Sequence, residues 1–295
     1  MGTLSDLSRE IADLVGRLGS SVVRVDARRG RPATGIIWAD NLVLTADHVL
    51  EQEDSIEVSG SATAVKASIA GRDPGTDLAL LRTEGLRGVP APRGRSTDLR
   101  AGHLVIALGQ PGELQVTVGI VSGLSGSFRS WRGGQVERLI QTTAELLPGF
   151  SGGPLVDADG RVVGINSWNF GRGVSRAIPA ETAERVAESL RTHGRIRRAY
   201  LGLGAQPVRL SQALASQLGQ ESALLVVTVE PGGPAQQAGL LQGDTIVTVD
   251  GDPVGDLDQL FGTLGRLEVG SAHRLGVVRA GERKDVSITV GERQS

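Results

Sequence analysis

Ser151 sits in the run Leu147-Pro148-Gly149-Phe150-Ser151-Gly152-Gly153-Pro154-Leu155, where glycines flank a hydroxyl closely enough for the backbone to bend and expose it. The same bend can aim the N–H groups of Gly149 and Ser151 at one point. Two convergent amides can hold the oxyanion that forms when a carbonyl is attacked, a contribution of roughly 10²–10³ in rate per donor. A serine hydroxyl is a weak nucleophile unaided, so it needs a base and a third group to orient that base. Both residue types lie upstream. Thr45-Ala46-Asp47-His48-Val49 closes one apolar run, and Thr76-Asp77-Leu78-Ala79-Leu80-Leu81 opens another. His48, Asp77 and Ser151 are therefore the candidate base, orienting acid and nucleophile of an acyl-transfer site.

Each piece alone has a plainer meaning: Gly-x-Ser-Gly-Gly is commonly a flexible turn, and a histidine ending a strand is commonly core or surface. Together and in order they are specific. The chain order His, Asp, Ser is that of the chymotrypsin class, whereas subtilisins and α/β-hydrolases order the same groups differently. Further segments agree. They are Thr34-Gly35-Ile36-Ile37 before the histidine run, Gln141-Thr142-Thr143-Ala144 before the serine, then Gly164-Ile165-Asn166 and Ala177-Ile178-Pro179. With these, residues from about 20 to 293 resemble a trypsin-fold serine protease of the HtrA (Deg) family followed by its PDZ domain.

The resemblance implies two six-stranded β-barrels with the three candidate residues meeting at their cleft, then an α+β PDZ domain. It implies boundaries at 1–20 for an N-terminal helix, 21–182 for the protease, 183–198 for a helix and linker, and 199–293 for the PDZ domain. It also implies cleavage of unfolded or damaged polypeptides without ATP, metal or other cofactor, and a homo-oligomer, generally a trimer. Around the specificity pocket it places Glu145, Leu146, Ser167 and Arg176. Two positions depart from the family pattern. Phe150 stands where an asparagine is usual and cannot make the expected polar contact, so an oxyanion loop inactive until ligand binds is one expectation. Arg176 stands where a phenylalanine is usual. Glu145, where trypsins place the pocket-floor acid, would either select a basic side chain or pair with Arg176 over an apolar pocket lined by Leu146. Because single buried charges are costly, the paired or solvent-directed version is favoured. The alternative to an enzyme is a catalytically silent PDZ adaptor or holdase chaperone, supported by Phe150 alone; an esterase for small substrates fits the second domain poorly.

The elements that would position these residues read as β throughout the first domain. Alternation at Ser21–Asp26, a hairpin of 35–38 and 42–46 around Asp40-Asn41, and further short runs at 55–58, 63–69, 77–82, 103–107, 115–121 and 136–141 suggest strands. Leu155-Val156 and 161–165 bracket the turn Asp157-Ala158-Asp159-Gly160. Pro179 opens the first long helix, 180–193, and Gly194 stops it. The basic residues Arg191, Arg195, Arg197 and Arg198 read as a solvated linker. Beyond it, 224–229, Pro231-Gly232-Gly233-Pro234 and the run from Gly243 to Gly251 resemble a bacterial PDZ domain. Tyr200-Leu201-Gly202-Leu203 then holds the carboxylate-loop position, where successive N–H groups can form a nest for a peptide C-terminus. Leu257, Leu260, Phe261 and Leu264 share one face of the next helix; Leu257 and Phe261 are assigned to the groove and part of the face to the core.

Composition agrees. A chain of 295 residues is long enough for two cores, and 42 glycines with 3% aromatics suit short strands and turns. Net charge of −2 provides no field for nucleic acid. The absence of cysteine excludes a disulfide framework and a zinc–thiolate site, and the four histidines have no paired metal-ligand spacing. Leu4, Leu7, Ile11, Leu14, Val15 and Leu18 line one helical face near the start, but Asp6, Arg9, Glu10, Asp13 and Arg17 interrupt it. That run is too broken for a signal peptide or a membrane span. The sequence as written therefore reads as cytoplasmic, or as extracytoplasmic if it is part of a longer chain.

Overall fold

The computed structural model describes residues 4–292 apart from 61–63, 127, 130–134, 137, 171–172, 197–198 and 265–266, and gives the backbone alone at 128–129, 135–136 and 261. The chain forms two compact units divided between Ile196 and Arg197.

The first unit opens with helix α1 (Leu4–Leu18), which buries Leu14 and Leu18 while Leu4 and Leu7 stay exposed. Strands β1 (Val22–Asp26), β2 (Ala33–Ala39), β3 (Leu42–Ala46), β4 (Ile56–Ser59), β5 (Ala64–Asp73) and β6 (Leu78–Thr83) follow. They close a barrel in the order β1-β2-β3-β6-β5-β4, every pair antiparallel. Asn41 takes φ 57° at the β2–β3 turn, a conformation asparagine tolerates. Strands β7 (Leu104–Gly109) and β8 (Gln115–Leu124), a small hairpin of β9 (Phe128–Arg129) and β10 (Gln135–Val136), and β11 (Ile140–Thr142) come next. With β12 (Pro154–Val156), β13 (Val162–Ser167) and β14 (Ser175–Pro179) they build a second closed barrel, ordered β11-β14-β13-β12-β7-β8.

Alternation explains how strands can be buried on both faces. Val43, Ala79 and Leu81 point into the first barrel with Val23, Val25, Ile56 and Val58. Their neighbours Leu42, Leu44, Leu78 and Leu80 point outward and join a second cluster with Ile106, Leu108, Val162 and Ile165 of the other barrel. Helix α2 (Ala180–His193) adds Ala183, Val186, Ala187 and Leu190 to that cluster and ends on Gly194 at φ 70°. Its Glu181 accepts from the Ser96 amide at 2.8 Å and hydroxyl at 2.6 Å, which ties its first turn to the segment before β7. The sequence suggested only a helix entry at Ala177-Ile178-Pro179; the structure instead makes this the last half of β14, the strand that bridges β11 and β13.

The second unit contains β15 (Ala199–Tyr200), β16 (Leu203–Arg209), α3 (Gln212–Leu218), β17 (Ser222–Val229), α4 (Pro234–Gln237), β18 (Thr245–Val249), β19 (Asp252–Pro253), α5 (Leu257–Leu264), β20 (Ala272–Arg279), β21 (Glu282–Thr289) and β22 (Gly291–Glu292). Its sheet runs β16-β17-β18-β20-β21, with β15 and β22 paired separately. Leu224, Val226, Ile246, Leu260, Leu275, Val277 and Ile288 form the core. Among the described residues no helix is long and apolar enough to cross a membrane.

Candidate active site

β3 delivers His48 by ending at Ala46 and passing into a 3₁₀ turn, Asp47–Val49. β6 delivers Asp77 from the residue just before its first, at φ 58°, a left-handed conformation that aspartate tolerates better than bulkier residues. The Asp47 amide donates to the Asp77 carbonyl at 3.1 Å, and the His48 amide to Asp77 Oδ1 at 3.0 Å, so the two loops are joined before any side chain of the histidine is involved. His48 Nδ1 then lies 2.9 Å from Oδ1 and 2.8 Å from Oδ2. A hydrogen on Nδ1, held by the carboxylate, leaves Nε2 with a lone pair, the tautomer a general base needs. The Asp77 side chain is 1% exposed, and that of His48 24%. A further donor completes the buried carboxylate: the Ser167 hydroxyl, 2.5 Å from Oδ2. Ser167, expected at the pocket, therefore directs its hydroxyl to Asp77.

Ser151 lies on the loop between β11 and β12. The Phe150 amide donates to the Leu147 carbonyl at 3.0 Å and the Gly153 amide to the Phe150 carbonyl at 2.9 Å, folding the loop tightly. Gly149 and Gly152 take φ 92° and 88°, which favours glycine. At Gly152 space is equally demanding: a Cβ there would lie 2.1 Å from the Thr34 carbonyl and 2.4 Å from Thr45 Oγ1 of the first barrel. Thr34 grips the same loop. Its amide donates to the Ser151 carbonyl at 3.2 Å, its hydroxyl donates to the Gly149 carbonyl at 2.7 Å, and that hydroxyl accepts from the Gln110 amide at 2.8 Å.

The Gly149 and Ser151 amides donate to no acceptor among the described residues, leaving them available to an incoming oxyanion. Ser151 Oγ accepts from the Trp168 amide at 3.3 Å and, among the described residues, has no hydrogen bond to His48. Catalytic hydrogen bonds of substrate-free enzymes are often long and tighten on binding.

Phe150 is fully buried among Val105, Ala107, Val121, Ile140 and Leu155, filling the second barrel's interior in place of a polar contact. The expected Glu145–Arg176 pair does not form. Arg176 Nη1 donates to the Phe170 carbonyl, while Glu145 is exposed, held only through its carbonyl by the Thr117 hydroxyl at 2.7 Å. Facing solvent spares Glu145 the cost of a lone buried charge, whereas Arg176 is partly buried and its Nε has no hydrogen-bond partner among the described residues. Leu146 is buried, and its amide donates to the Ser175 hydroxyl at 3.2 Å. Ser175 and the exposed Trp168 beside Ser151 escaped sequence reasoning, as did the role of Thr34, because serines, threonines and single aromatics do not announce their partners.

In the second unit Gly202 takes φ 72° between β15 and β16. The Leu201 carbonyl accepts from Ala235 at 2.7 Å and the Gly202 carbonyl from Glu230 at 2.8 Å. Leu201 is buried in the core, and Leu203 packs partly against it. On α5, Leu260 is core and Leu257 half-buried; the side chain of Phe261 lies outside the described residues, as do Arg197 and Arg198. His273 was unforeseen as a partner: its Nδ1 lies 2.6 Å from Asp250 Oδ2 and its Nε2 2.6 Å from the Ser271 hydroxyl.

The chain is similar to known proteins. A trypsin-like peptidase domain model matches residues 33–165 and a PDZ domain model residues 200–290. A probable periplasmic serine endoprotease, DegP-like, of Pseudomonas fluorescens is 38% identical over 280 residues, covering 91% of this chain and 58% of the relative. A counterpart in Halomonas elongata is 37% identical over 277 residues, covering 90% and 57%. The chain thus spans under three fifths of the length of these relatives. Among solved structures, the HtrA-type protease AlgW with a tripeptide superposes with a TM-score of 0.79 at 31% identity, over 96% of this chain and 97% of that one. The serine endoprotease from Yersinia pestis gives 0.78 at 28%, over 96% and 98%. With both domain models matched in order and an HtrA-type structure aligned along nearly its whole length, the chain belongs to the HtrA family of trypsin-like serine proteases bearing a PDZ domain.

Proposed function

We propose that the chain is a serine endopeptidase acting on unfolded polypeptides, with Ser151 as nucleophile, His48 as general base and acid, and Asp77 as the group that orients and stabilises the imidazole. The observation that carries this reading is the buried Asp77 carboxylate on His48 Nδ1, facing a serine loop whose Gly149 and Ser151 amides have no acceptor among the described residues. Ser151 Oγ attacks the scissile carbonyl as His48 Nε2 takes its proton; the two amides hold the oxyanion, and His48 returns the proton to the leaving amine. Water then releases the acyl group by the same exchange in reverse. The adaptor reading loses its one support, because Phe150 serves the barrel core.

The solvent-facing Glu145 puts no charge on a pocket floor, so we expect cuts after aliphatic side chains such as Val, Ala and Leu. Leu201, Gly202 and Leu203, with Leu257 and Phe261, would bind peptide C-termini. The DegP-like relatives are named periplasmic, which supports an extracytoplasmic location. A homotrimer is expected, and light scattering reads its mass.

The test is labelling with a fluorophosphonate, together with digestion of casein. The parent should label at Ser151 and degrade casein. Ser151→Ala should retain the fold and lose on the order of 10⁶ in kcat. Activity within tenfold of the parent would assign the chemistry to another residue. Mass spectrometry of the products reads the pocket: cuts mainly after Arg or Lys would place Glu145 at its floor.

A further inference from the structure

Asp47 immediately precedes the candidate base and is 1% exposed. A carboxylate buried there needs partners. Arg72 of β5 supplies them: its Nε donates to Asp47 Oδ1 at 2.6 Å, and its Nη2 lies 3.3 Å from both the Asp47 and the Leu50 carbonyls. Nη1 reaches Glu53 Oε1 at 2.7 Å. Those two carbonyls flank His48 and Val49, so one guanidinium grips both ends of the turn that carries the base. The opposite side of Asp47 is committed to the site, since its amide donates to the Asp77 carbonyl. Hydrogen bonding to Asp47 in turn holds the Arg72 guanidinium above its ordinary range.

Charge matters here as much as geometry. Asp47 would be a second carboxylate beside His48, after Asp77. A negative charge without its cation favours the imidazolium, and an imidazolium cannot take the serine proton. Among the described residues, the charged groups around this turn include Asp77 before β6, Asp73 and Arg72 on β5, Glu51 and Glu53 after the turn, and Arg195, whose backbone bridges to that of Arg72. Asp73 accepts from the Gly75 amide and from the Thr76 amide and hydroxyl.

We propose that Arg72, through Asp47, is a positioning residue for the base: it fixes the turn that aims His48 and offsets the carboxylate charge of Asp47 next to it. The proposal rests on the active-site reading above, yet one of its readouts does not need activity.

In the full chain, kcat and KM are measured on a fluorogenic peptide from about pH 5 to about pH 9, a span covering the titration of histidine. Arg72→Met should lower kcat about 10- to 100-fold near neutrality, a part of what general-base catalysis contributes, with KM little changed. Its acid limb should move to higher pH. Arg72→Lys keeps the charge without the fork, so its acid limb should match the parent's while kcat falls less. Asp47→Asn added to Arg72→Met removes the carboxylate itself and should return the acid limb toward that of the parent. Independently, the His48 ring resonances in Ser151→Ala should titrate at higher pH once Arg72 is replaced by Met. An unmoved His48 titration in a folded Arg72→Met protein would overturn the proposal. So would a loss of kcat with no displacement of the acid limb. A parent chain that neither labels at Ser151 nor cleaves would overturn the active-site reading instead, leaving the ring titration to decide the role of Arg72.

Discussion

A phenyl ring beneath the nucleophile changes what holds the oxyanion loop in shape. Phe150 is fully buried, and it fits because Gly109 has no side chain: a Cβ at Gly109 would lie 2.3–2.8 Å from three ring carbons. Such overlap in a close-packed core cannot be absorbed by a flexible side-chain end. Gly109→Ala should therefore push the ring and its loop aside, lowering the rate of fluorophosphonate labelling at least tenfold, a loss smaller than the roughly 10²–10³ attached to one oxyanion donor. Labelling at the parental rate would show that the loop shape does not depend on the ring. At this scale the sequence was legible where residue type and order carry chemistry: His48, Asp77 and Ser151 are separated by tens of residues, yet the first two are in contact and the third lies on a tightly folded glycine loop. The Ser167 hydroxyl on Asp77 and the Thr34 grip on the loop were illegible, since neither residue differs in type from many others on strands. Charge pairing failed for a related reason. Glu145 and Arg176 were matched by sign, but sign says nothing about which way a side chain leaves a loop or a strand.

Most of the element plan was legible, because alternation and turn residues marked the strands of both barrels to within a few residues. Helix α2 was bounded by Pro179 and Gly194 as expected. β14 was lost to the proline at its end: Pro179 signals a helix start, and that signal masked the preceding extended run. In the second unit, Asp244 and Arg279 show an element-level device that sequence did not reveal. Arg279 of β20 donates from Nε and Nη2 to the two oxygens of the buried Asp244, both at 2.7 Å, and from Nη2 to the Gly239 carbonyl. This staples the segment before β18 to the end of its neighbouring strand β20. Burial pushes the Asp244 pKa up, but the Arg279 hydrogen bonds and the Leu241 amide outweigh it and hold the carboxyl below its ordinary range. A carboxyl lowered in the native state contributes stability above its unfolded pKa and loses it as pH falls through the lower native value. The parent should therefore lose stability on acidification below about pH 4, the unfolded aspartate value. In Arg279→Met burial remains against only the Leu241 amide and the more distant charge of Lys284. We expect a loss of about 3–5 kcal/mol at neutral pH and a reversed slope, with stability rising as pH falls from 6 toward about 4, because protonation now relieves a buried charge. Urea titrations at several pH values check both signs, and parallel pH curves for the two proteins would remove Arg279 from this role.

The whole molecule joins two compact units, and the proposed division of labour makes their coupling measurable. Peptides with a free apolar C-terminus should bind the intact chain and raise its casein-cleavage rate, whereas amidated versions should do neither. Site-to-site coupling of this kind is typically about 1–3 kcal/mol, or roughly 5- to 150-fold. Equal affinity for amidated peptides, read by fluorescence anisotropy, would discard the carboxylate nest, and binding with no change in rate would discard the coupling alone. Within the first unit, the join between barrels has its own consequence. Thr34 of the first barrel holds the carbonyls on either side of Phe150, and Gly152 rests against the backbone of that barrel with no room for a methyl group. The His48–Asp77 pair and the Ser151 loop thus come from different barrels, and the packing of one barrel on the other sets how they meet. On heating, a small parting along this seam should separate His48 from Ser151 while each barrel keeps its sheet, so peptide hydrolysis is expected to fail at a lower temperature than the circular dichroism signal and to return on cooling.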